Sequence, residues 1–446
     1  MKKPNISVIG AGYVGLCTAV GFASKGCNVI SSDNDHEKVM KINEGVPPFH
    51  EPGLQERLNQ GIKNGTFKCL FNRTKTAVLQ TDLTFITVGT PSKADGSIDL
   101  KFIEAASHEI GKAIRKKQSY HVAIIKSTVI PGTTQDIVKP ILEKESRKEC
   151  GKEFGLCMNP EFLRQGSAFQ DTLNADRVVI GSHDKKAGDA VEDLYKEFYG
   201  KNKPPIIRTS LSTAELIKYA SNSLLATKIS FINMIANICE KIPGADVKTV
   251  AAAMGLDKRI GPLFLDAGLG YGGSCFPKDV KALIACSEAL GYHPELLESV
   301  EKVNKTQPLK AVQFCRDQLG NLEGKNIAIL GLAFKPDTDD MREARVIPIV
   351  NRLLKEGANI TAYDPVAISV AKTIFKNKIK YANSALECLK DADCCILVTE
   401  WEEFKKLTPE NFKAKMKQPT LIDGRRIYDP ELFKNKMKFA AIGLGK

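Results

Sequence analysis

Residues 5–33, NISVIGAGYVGLCTAVGFASKGCNVISSD, constrain the fold of this chain more tightly than any other stretch. An apolar run enters a turn with glycines at 10, 12 and 15; an amphipathic helical run follows, and after Gly26 a second apolar run ends at Asp33. Each glycine has its own reason to be there. Gly10 makes the tight turn, Gly12 lets a pyrophosphate approach the backbone, and Gly15 allows helix to pack closely on strand, with Ala11, Tyr13 and Val14 completing the turn. The acid stands 23 residues after the first glycine, where a carboxylate accepts both ribose hydroxyls of an adenosine and repels a 2′-phosphate. The stretch therefore predicts a parallel, doubly wound sheet that binds a dinucleotide, NAD rather than NADP, with the cation Lys38 nearby.

The strand-and-turn alternation continues. LTFITVGTPS and HVAIIKSTVIPGTT read as strands of a parallel sheet with functional loops at their carboxyl ends, FGLCMNPEFLRQGSAFQD as a strand running into a polar turn with Glu161, and RVVIG, ending at Gly181, as the last strand of this domain. From Ser212 helical periodicity runs for about thirty residues without proline or glycine, long enough for a backbone shared between domains or subunits. A second helical stretch spans about 294–319. KNIAILGLAFKPDTDDMREARVIPIVNRLLKEGANITAYDP then repeats the strand, glycine turn, helix and strand pattern up to Asp364. Only Gly331 occupies the turn, so this half should not bind a dinucleotide as the first does. The expected fold is α/β: two doubly wound Rossmann-like domains joined by a central helical domain with a long helix. The expected boundaries are 1–205, 206–310 and 311–446.

At 446 residues the chain is too long for a single core. No stretch approaches the ~18 consecutive apolar residues of a membrane span, and the sequence enters a strand too soon for a signal peptide, so a cytoplasmic protein is expected. Twelve cysteines without a CxxC pair and six scattered histidines predict buried thiols and no metal site. The net charge of +12 is spread along the chain with no basic run interleaved with aromatics. That argues against nucleic acid and suits anionic small molecules.

GLGYGGSCFPKD, residues 268–279, sets a cysteine between a glycine-rich loop and a helix start marked by Pro277. Four glycines in six residues strip side chains from the loop, and the natural expectation is that a ligand approaches its backbone amides. Cys275 lies where the positive end of a helix favours thiolate. Beside a hydride-accepting cofactor it is either a nucleophile that attacks an aldehyde and passes through a thioester, or an inert packed residue. Lys218 and Asn222, four apart on the long helix, project from one face and are suited to stabilising an oxyanion. Glu161 offers a carboxylate for base work on water.

GAGYVG, KSTVIPGTT, NPEFLRQGSAFQD, KYASNS, GYGGSCFPKD, FKPDTDDMREA and DGRR stand in the order and at the spacing of one family, over nearly the whole length. In them the chain resembles the nucleotide-sugar 6-dehydrogenases of the UDP-glucose/GDP-mannose dehydrogenase family, most nearly those acting on UDP-glucose. The resemblance implies a four-electron oxidation of the sugar's 6-hydroxyl to a carboxylate with two NAD in succession. It makes Cys275 the nucleophile, Lys218 and Asn222 the oxyanion stabilisers, Asp279 an acid working with them through water, Glu161 the base of thioester hydrolysis and Thr128 a hydroxyl that orders water. It places NAD against Gly10, Ala11, Gly12, Tyr13, Val14, Gly15, Asp33, Lys38, Thr90, Pro91, Thr128, Gln165, Lys278 and Arg342. It places the nucleotide sugar against Glu161, Phe162, Leu163, Lys218, Asn222, Arg259, Phe264, Gly268, Tyr271, Gly272, Gly273, Phe334, Lys335 and Arg425. A homodimer through the central helices is implied as well, with Arg259 reaching the neighbouring subunit. Many relatives have Glu where this chain has Gln165, which keeps hydrogen bonding but cannot act as a base. Ser274 before the cysteine, where N-acetylhexosamine enzymes typically carry His, favours UDP-glucose; the alternative is another UDP- or GDP-hexose.

Overall fold

The computed structural model describes residues 3–445 and divides into two compact units, the first running through Ser221 and the second beginning at Asn222. The division falls inside a single helix, Leu211–Cys239.

The first unit is built on eight strands: β1 (Ile6–Ile9), β2 (Val29–Asp33), β3 (Phe67–Phe71), β4 (Leu83–Ile86), β5 (His121–Ile125), β6 (Phe154–Met158), β7 (Val178–Ser182) and β8 (Ile206–Thr209), in the order β3-β2-β1-β4-β5-β6-β7-β8. The order reverses at β1, the switch point where open α/β sheets open a crevice at their carboxyl ends. Helices cover both faces, so the central strands are apolar on both sides. Val122 and Ile124 of β5 join the core on one face, with Val8 and Phe85, whereas Ala123 and Ile125 join the other, with Ile9 and Ile86. This alternation is the period of two of an extended chain.

Two expectations fail here. RVVIG is not the last strand, because β8 follows and pairs with β7. Nor is the sheet wholly parallel: β7 runs antiparallel to β6, with Met158 opposite Gly181. The sequence PPIIRTS hid β8, since a short edge strand needs only two apolar residues beside its prolines.

The second unit starts with the remainder of helix Leu211–Cys239 and continues through helices Val247–Gly255, Phe276–Ala289, Glu295–Thr306 and Leu309–Leu319. The helical stretch expected over 294–319 is thus two helices. Pro308 lacks an amide hydrogen and clashes with the preceding turn, so the first ends before it and the second starts after it. A parallel sheet follows: β9 (Asn326–Leu330), β10 (Asn359–Tyr363), β11 (Lys380–Tyr381), β12 (Cys394–Leu397), β13 (Thr420–Asp423) and β14 (Lys438–Ala441), ordered β11-β10-β9-β12-β13-β14. It echoes the first sheet, but here the helix does not open at the glycine turn. Residues 331–345 form an irregular segment before helix Val346–Lys355. Among the described residues no helix is long and apolar enough to cross a membrane.

Candidate active site

The turn between β1 and helix Tyr13–Ser24 has the three glycine roles separated in space. Gly10 holds φ at +98°, where a side chain is strained. A Cβ on Gly15 would lie 1.9 Å from the Gly10 carbonyl oxygen, whereas one on Gly12 would meet nothing within 4 Å. Gly12 thus leaves an open cradle at a helix start, which fits the pyrophosphate of a dinucleotide. Asp33, at the end of β2, accepts from the Ala11 amide at 2.7 Å and from the Asp35 amide at 3.0 Å, and Lys38 lies 3.2 Å away. Tyr13 stacks on Phe49 at 3.9 Å, and Thr90 and Pro91 follow the end of β4 in the same unit.

The corresponding acid of the second sheet differs in kind. Asp364 is fully buried, and its oxygens take five donors: the amides of Leu332, Ala333, Val366 and Ala367 and the Trp401 indole. No acceptor capacity is left for a ribose. This half therefore does not read a dinucleotide as the first does, in line with its missing glycines.

At the carboxyl ends of β5 and β6 the first unit assembles a buried charge cluster. Glu161, although its loop is polar, is buried and forms an ion pair with Lys218 at 2.9 Å. Burial pushes its carboxyl upward, but the Lys218 charge and hydrogen bond, the Leu163 amide and the charge of Lys126 outweigh that, and it stays below the ordinary carboxylate range. Lys218 also lies 5.5 Å from the Phe162 ring, whose face carries the Arg177 guanidinium at 3.8 Å. Lys126, the last residue before the Ser127–Thr128 turn, is buried, with no carboxylate in ion-pair range among the described residues. It donates to Asn159 Oδ1 at 3.0 Å and to the Tyr195 hydroxyl at 3.3 Å, and burial lowers its ammonium to about 8. Thr128 is half-buried beside it, and Leu163 lines a cavity of about 70 Å³ with Lys126, Asn159 and Glu161. Gln165 is partly buried in the next turn, which Glu51 pins by accepting from the Gly166 and Phe169 amides.

In the second unit Cys275 caps helix Phe276–Ala289 at its start and is exposed. Ten of the other cysteines are buried and Cys286 is partly so. Four residues on, Asp279 is buried and takes Lys278 at 2.7 Å on one oxygen and the Asn222 carboxamide at 2.6 Å on the other. Asp279 and Asn222, which the resemblance assigns to one catalytic group, are thus in direct contact. Lys218 and Asn222 remain one helical turn apart on the same helix.

The glycine loop is tied into the protein at three of its amides. The Gly268 amide donates to Asn233, the Tyr271 amide to Asn304 and the Gly273 amide to the Arg342 carbonyl, so these three are not available to a ligand. The missing side chains serve the protein's own packing instead. A Cβ on Gly272 would lie 2.4 Å from the Glu343 carbonyl oxygen, and one on Gly273 2.8 Å from the Phe334 ring. The loop is thereby bound to the segment carrying Phe334 and Lys335. Arg425 lies against Gly268 and donates to the Val398 carbonyl at 2.6 Å, whereas the neighbouring Arg426 is buried and committed to Asp246 at 2.8 Å. Phe264 holds a strained φ of +65° with its ring 6.1 Å from Phe276. Arg259 is exposed and paired with Asp257, and Arg342 is paired with Asp340.

The chain matches the NAD binding domain of one family over residues 4–199, its central domain over 212–306 and its UDP binding domain over 328–430. It belongs to the UDP-glucose/GDP-mannose dehydrogenase family. The UDP-glucose 6-dehydrogenase AglM of Haloferax volcanii is 42% identical over 423 residues, covering 95% of this chain and 96% of that one. A UDP-glucose dehydrogenase from the hyperthermophilic archaeon Pyrobaculum islandicum superposes with a TM-score of 0.92 at 37% identity, covering 99% of this chain and 98% of that one. A UDP-D-ManNAc dehydrogenase from Pyrococcus horikoshii reaches 0.87 at 27% identity, covering 98% and 99%. In this member of the dehydrogenase family, sequence reasoning missed Lys126, Asn159 and Glu215. Lys126 ends an apolar strand directly before a polar turn, and Glu215 stands three residues before Lys218 on one helix face; those were the available signals.

Proposed function

We propose that the protein is an NAD-dependent UDP-glucose 6-dehydrogenase that makes UDP-glucuronate by two successive oxidations. The observation that carries the reading is Cys275: one exposed thiol, at the positive end of a 14-residue helix, in a chain whose other cysteines are buried or, for Cys286, partly buried. Bound NAD supplies the hydride acceptor, one NAD for each oxidation, and the open cradle at Gly12 with Asp33 suits it.

The first oxidation turns the 6-hydroxyl into an aldehyde and releases a proton. The Cys275 thiolate then adds to the aldehyde carbon, and loss of a second hydride leaves a thioester. Water breaks the carbon–sulfur bond, giving the carboxylate and returning the thiol. Overall, one alcohol, one water and two oxidised cofactors yield one carboxylate, two reduced cofactors and three protons. The Lys218 ammonium and the Asn222 carboxamide stabilise the oxyanions along this route. Asp279 holds Asn222 in place, and Glu161, kept ionised by Lys218, accepts the proton of the attacking water. Thr128 orders that water. Arg425, whose Nε lies 3.2 Å from Glu400 whereas Arg426 is buried against Asp246, takes the nucleotide sugar together with Phe264, Phe334 and Lys335.

The choice of UDP-glucose is supported by the full-length relatives and by Ser274 before the nucleophile. Boundaries near 205 and 310 separate the NAD domain, a central helical domain and the UDP-sugar domain. On the long helix Leu224, Phe231, Met234 and Ile238 are all exposed at spacings of seven, three and four, an apolar stripe that supports a homodimer through this helix. The enzyme works in the cytoplasm, where its substrate and NAD are at hand. A panel of UDP-glucose, UDP-galactose, UDP-N-acetylglucosamine and GDP-mannose, each with NAD, tests the reading. The highest kcat/KM is expected for UDP-glucose, and a higher value for any other sugar overturns the assignment.

A further inference from the structure

Glu215 has no part in the chemistry above, yet it is fully buried on the helix that carries Lys218. A buried carboxylate is costly unless donors surround it. Here there are three: the Gly132 amide at 2.7 Å on one oxygen, and the Thr134 amide at 2.8 Å and Thr134 hydroxyl at 2.6 Å on the other. All come from one short stretch after β5, where a six-residue π-helical segment, Thr133–Val138, begins. When ionised the carboxylate only accepts, so all three donors suit it, and charge-assisted bonds of this kind are about twice as strong as neutral ones; when protonated it keeps acceptor capacity for them.

The place of these bonds matters more than their strength. Glu215, Lys218 and Asn222 stand at i, i+3 and i+7, on one helix face. The stretch that Glu215 grips begins four residues after Thr128. At its other end Ser127 donates to the Val88 carbonyl at 2.7 Å, so Thr128 lies in a span pinned at both sides. The same helix face therefore holds the β5 loop through Glu215 and the β6 loop through the Lys218–Glu161 pair. We propose that Glu215 is a positioning residue, whose grip on Gly132 and Thr134 sets the rotation of the helix and so the placement of Lys218 and Thr128. This rests on the reading that Lys218 and Thr128 serve the oxidation.

Glu215→Gln keeps the shape but turns an amide donor toward donors. The expected result is a kcat lower by about tenfold or more, with KM for NAD and for UDP-glucose within about threefold, because misplacement by a fraction of an ångström costs rate more than binding. Amide hydrogen exchange over residues 127–138 should accelerate in the same variant, a readout independent of turnover. Thr134→Val should also lower kcat, Thr134→Ser should restore it to within about twofold of wild type, and Glu215→Gln with Thr134→Val should be no worse than Glu215→Gln alone. Unchanged kcat and exchange in Glu215→Gln overturn the proposal, as do additive penalties in the double variant. Should Glu215→Gln not fold, the two Thr134 variants decide, and equal loss in both overturns it. A wild-type enzyme that reduces no NAD with UDP-glucose defeats the underlying reading instead, which the exchange measurement distinguishes from a failure of the grip.

Discussion

Asn222 donates to Asp279 across 2.6 Å, and Lys278 holds the other oxygen of the same carboxylate. Asn222 has two amide hydrogens. Spending one on a buried carboxylate fixes which way the carboxamide faces and leaves the other for a developing oxyanion.

Asp279→Asn should therefore reduce kcat by about ten- to a hundredfold while KM for UDP-glucose moves less than about threefold, because the lost function is orientation. Steady-state kinetics in both substrates reads this directly. A change confined to KM would mean that Asp279 serves binding alone.

Lys218 and Glu161 are each buried, so removing Lys218 takes from Glu161 its ion-pair partner. Lys218→Met should lose about 3–5 kcal/mol of stability in urea unfolding, and Lys218→Met with Glu161→Gln should recover most of it. The pH dependence carries a sign. Glu161 titrates below its unfolded value, so in the wild type its stabilisation is present above that value and disappears as pH falls through the folded one. In Lys218→Met burial acts unopposed by that partner, the carboxyl shifts upward, and stability should improve as pH falls.

Lys126 gives the opposite pH window. Its folded ammonium titrates at about 8, below the ordinary 10.5, so between those values the unfolded chain binds more protons. Stability conferred by this group should rise with pH across the window, by roughly 3 kcal/mol in total. Lys126→Met should lack that rise; unfolding at several pH values, compared between the two proteins, shows whether it does.

Glu215 titrates at about 7, where burial outweighs its three donors. Its folded value lies above the unfolded one, so its stabilisation is full below about pH 4.5 and is lost as pH rises through 7. Glu215→Gln should flatten the wild-type decline between those values, as followed by thermal unfolding.

Much of this was legible in the sequence, and what was not has a common cause. Gly10, Gly12 and Gly15 could be assigned three roles because each follows from its own distance to strand and helix, and the structure separates them accordingly. The break at Pro308 was equally local and should have been read. The internal ties of the glycines of 268–273 could not be read in advance, because a bare backbone looks the same whether or not it packs, as here, against Phe334 and Glu343. The sequence positions of Lys126 and Glu215 marked them only weakly; their meaning lies in Asn159, Tyr195, Gly132 and Thr134, which only the fold brings to them.

Cys275→Ser should abolish UDP-glucuronate formation and the second NADH, leaving at most one NADH per sugar, while UDP-glucose binds within about threefold of wild type by calorimetry, since the change removes a nucleophile and little volume. Activity surviving at the wild-type level would rule out the covalent route.

The decisive quantity is the number of NADH formed per UDP-glucose consumed at completion, with NAD in excess. Two per sugar, with UDP-glucuronate as the sole product, is the expected result. One per sugar, with an aldehyde released, would contradict oxidation through a thioester on Cys275.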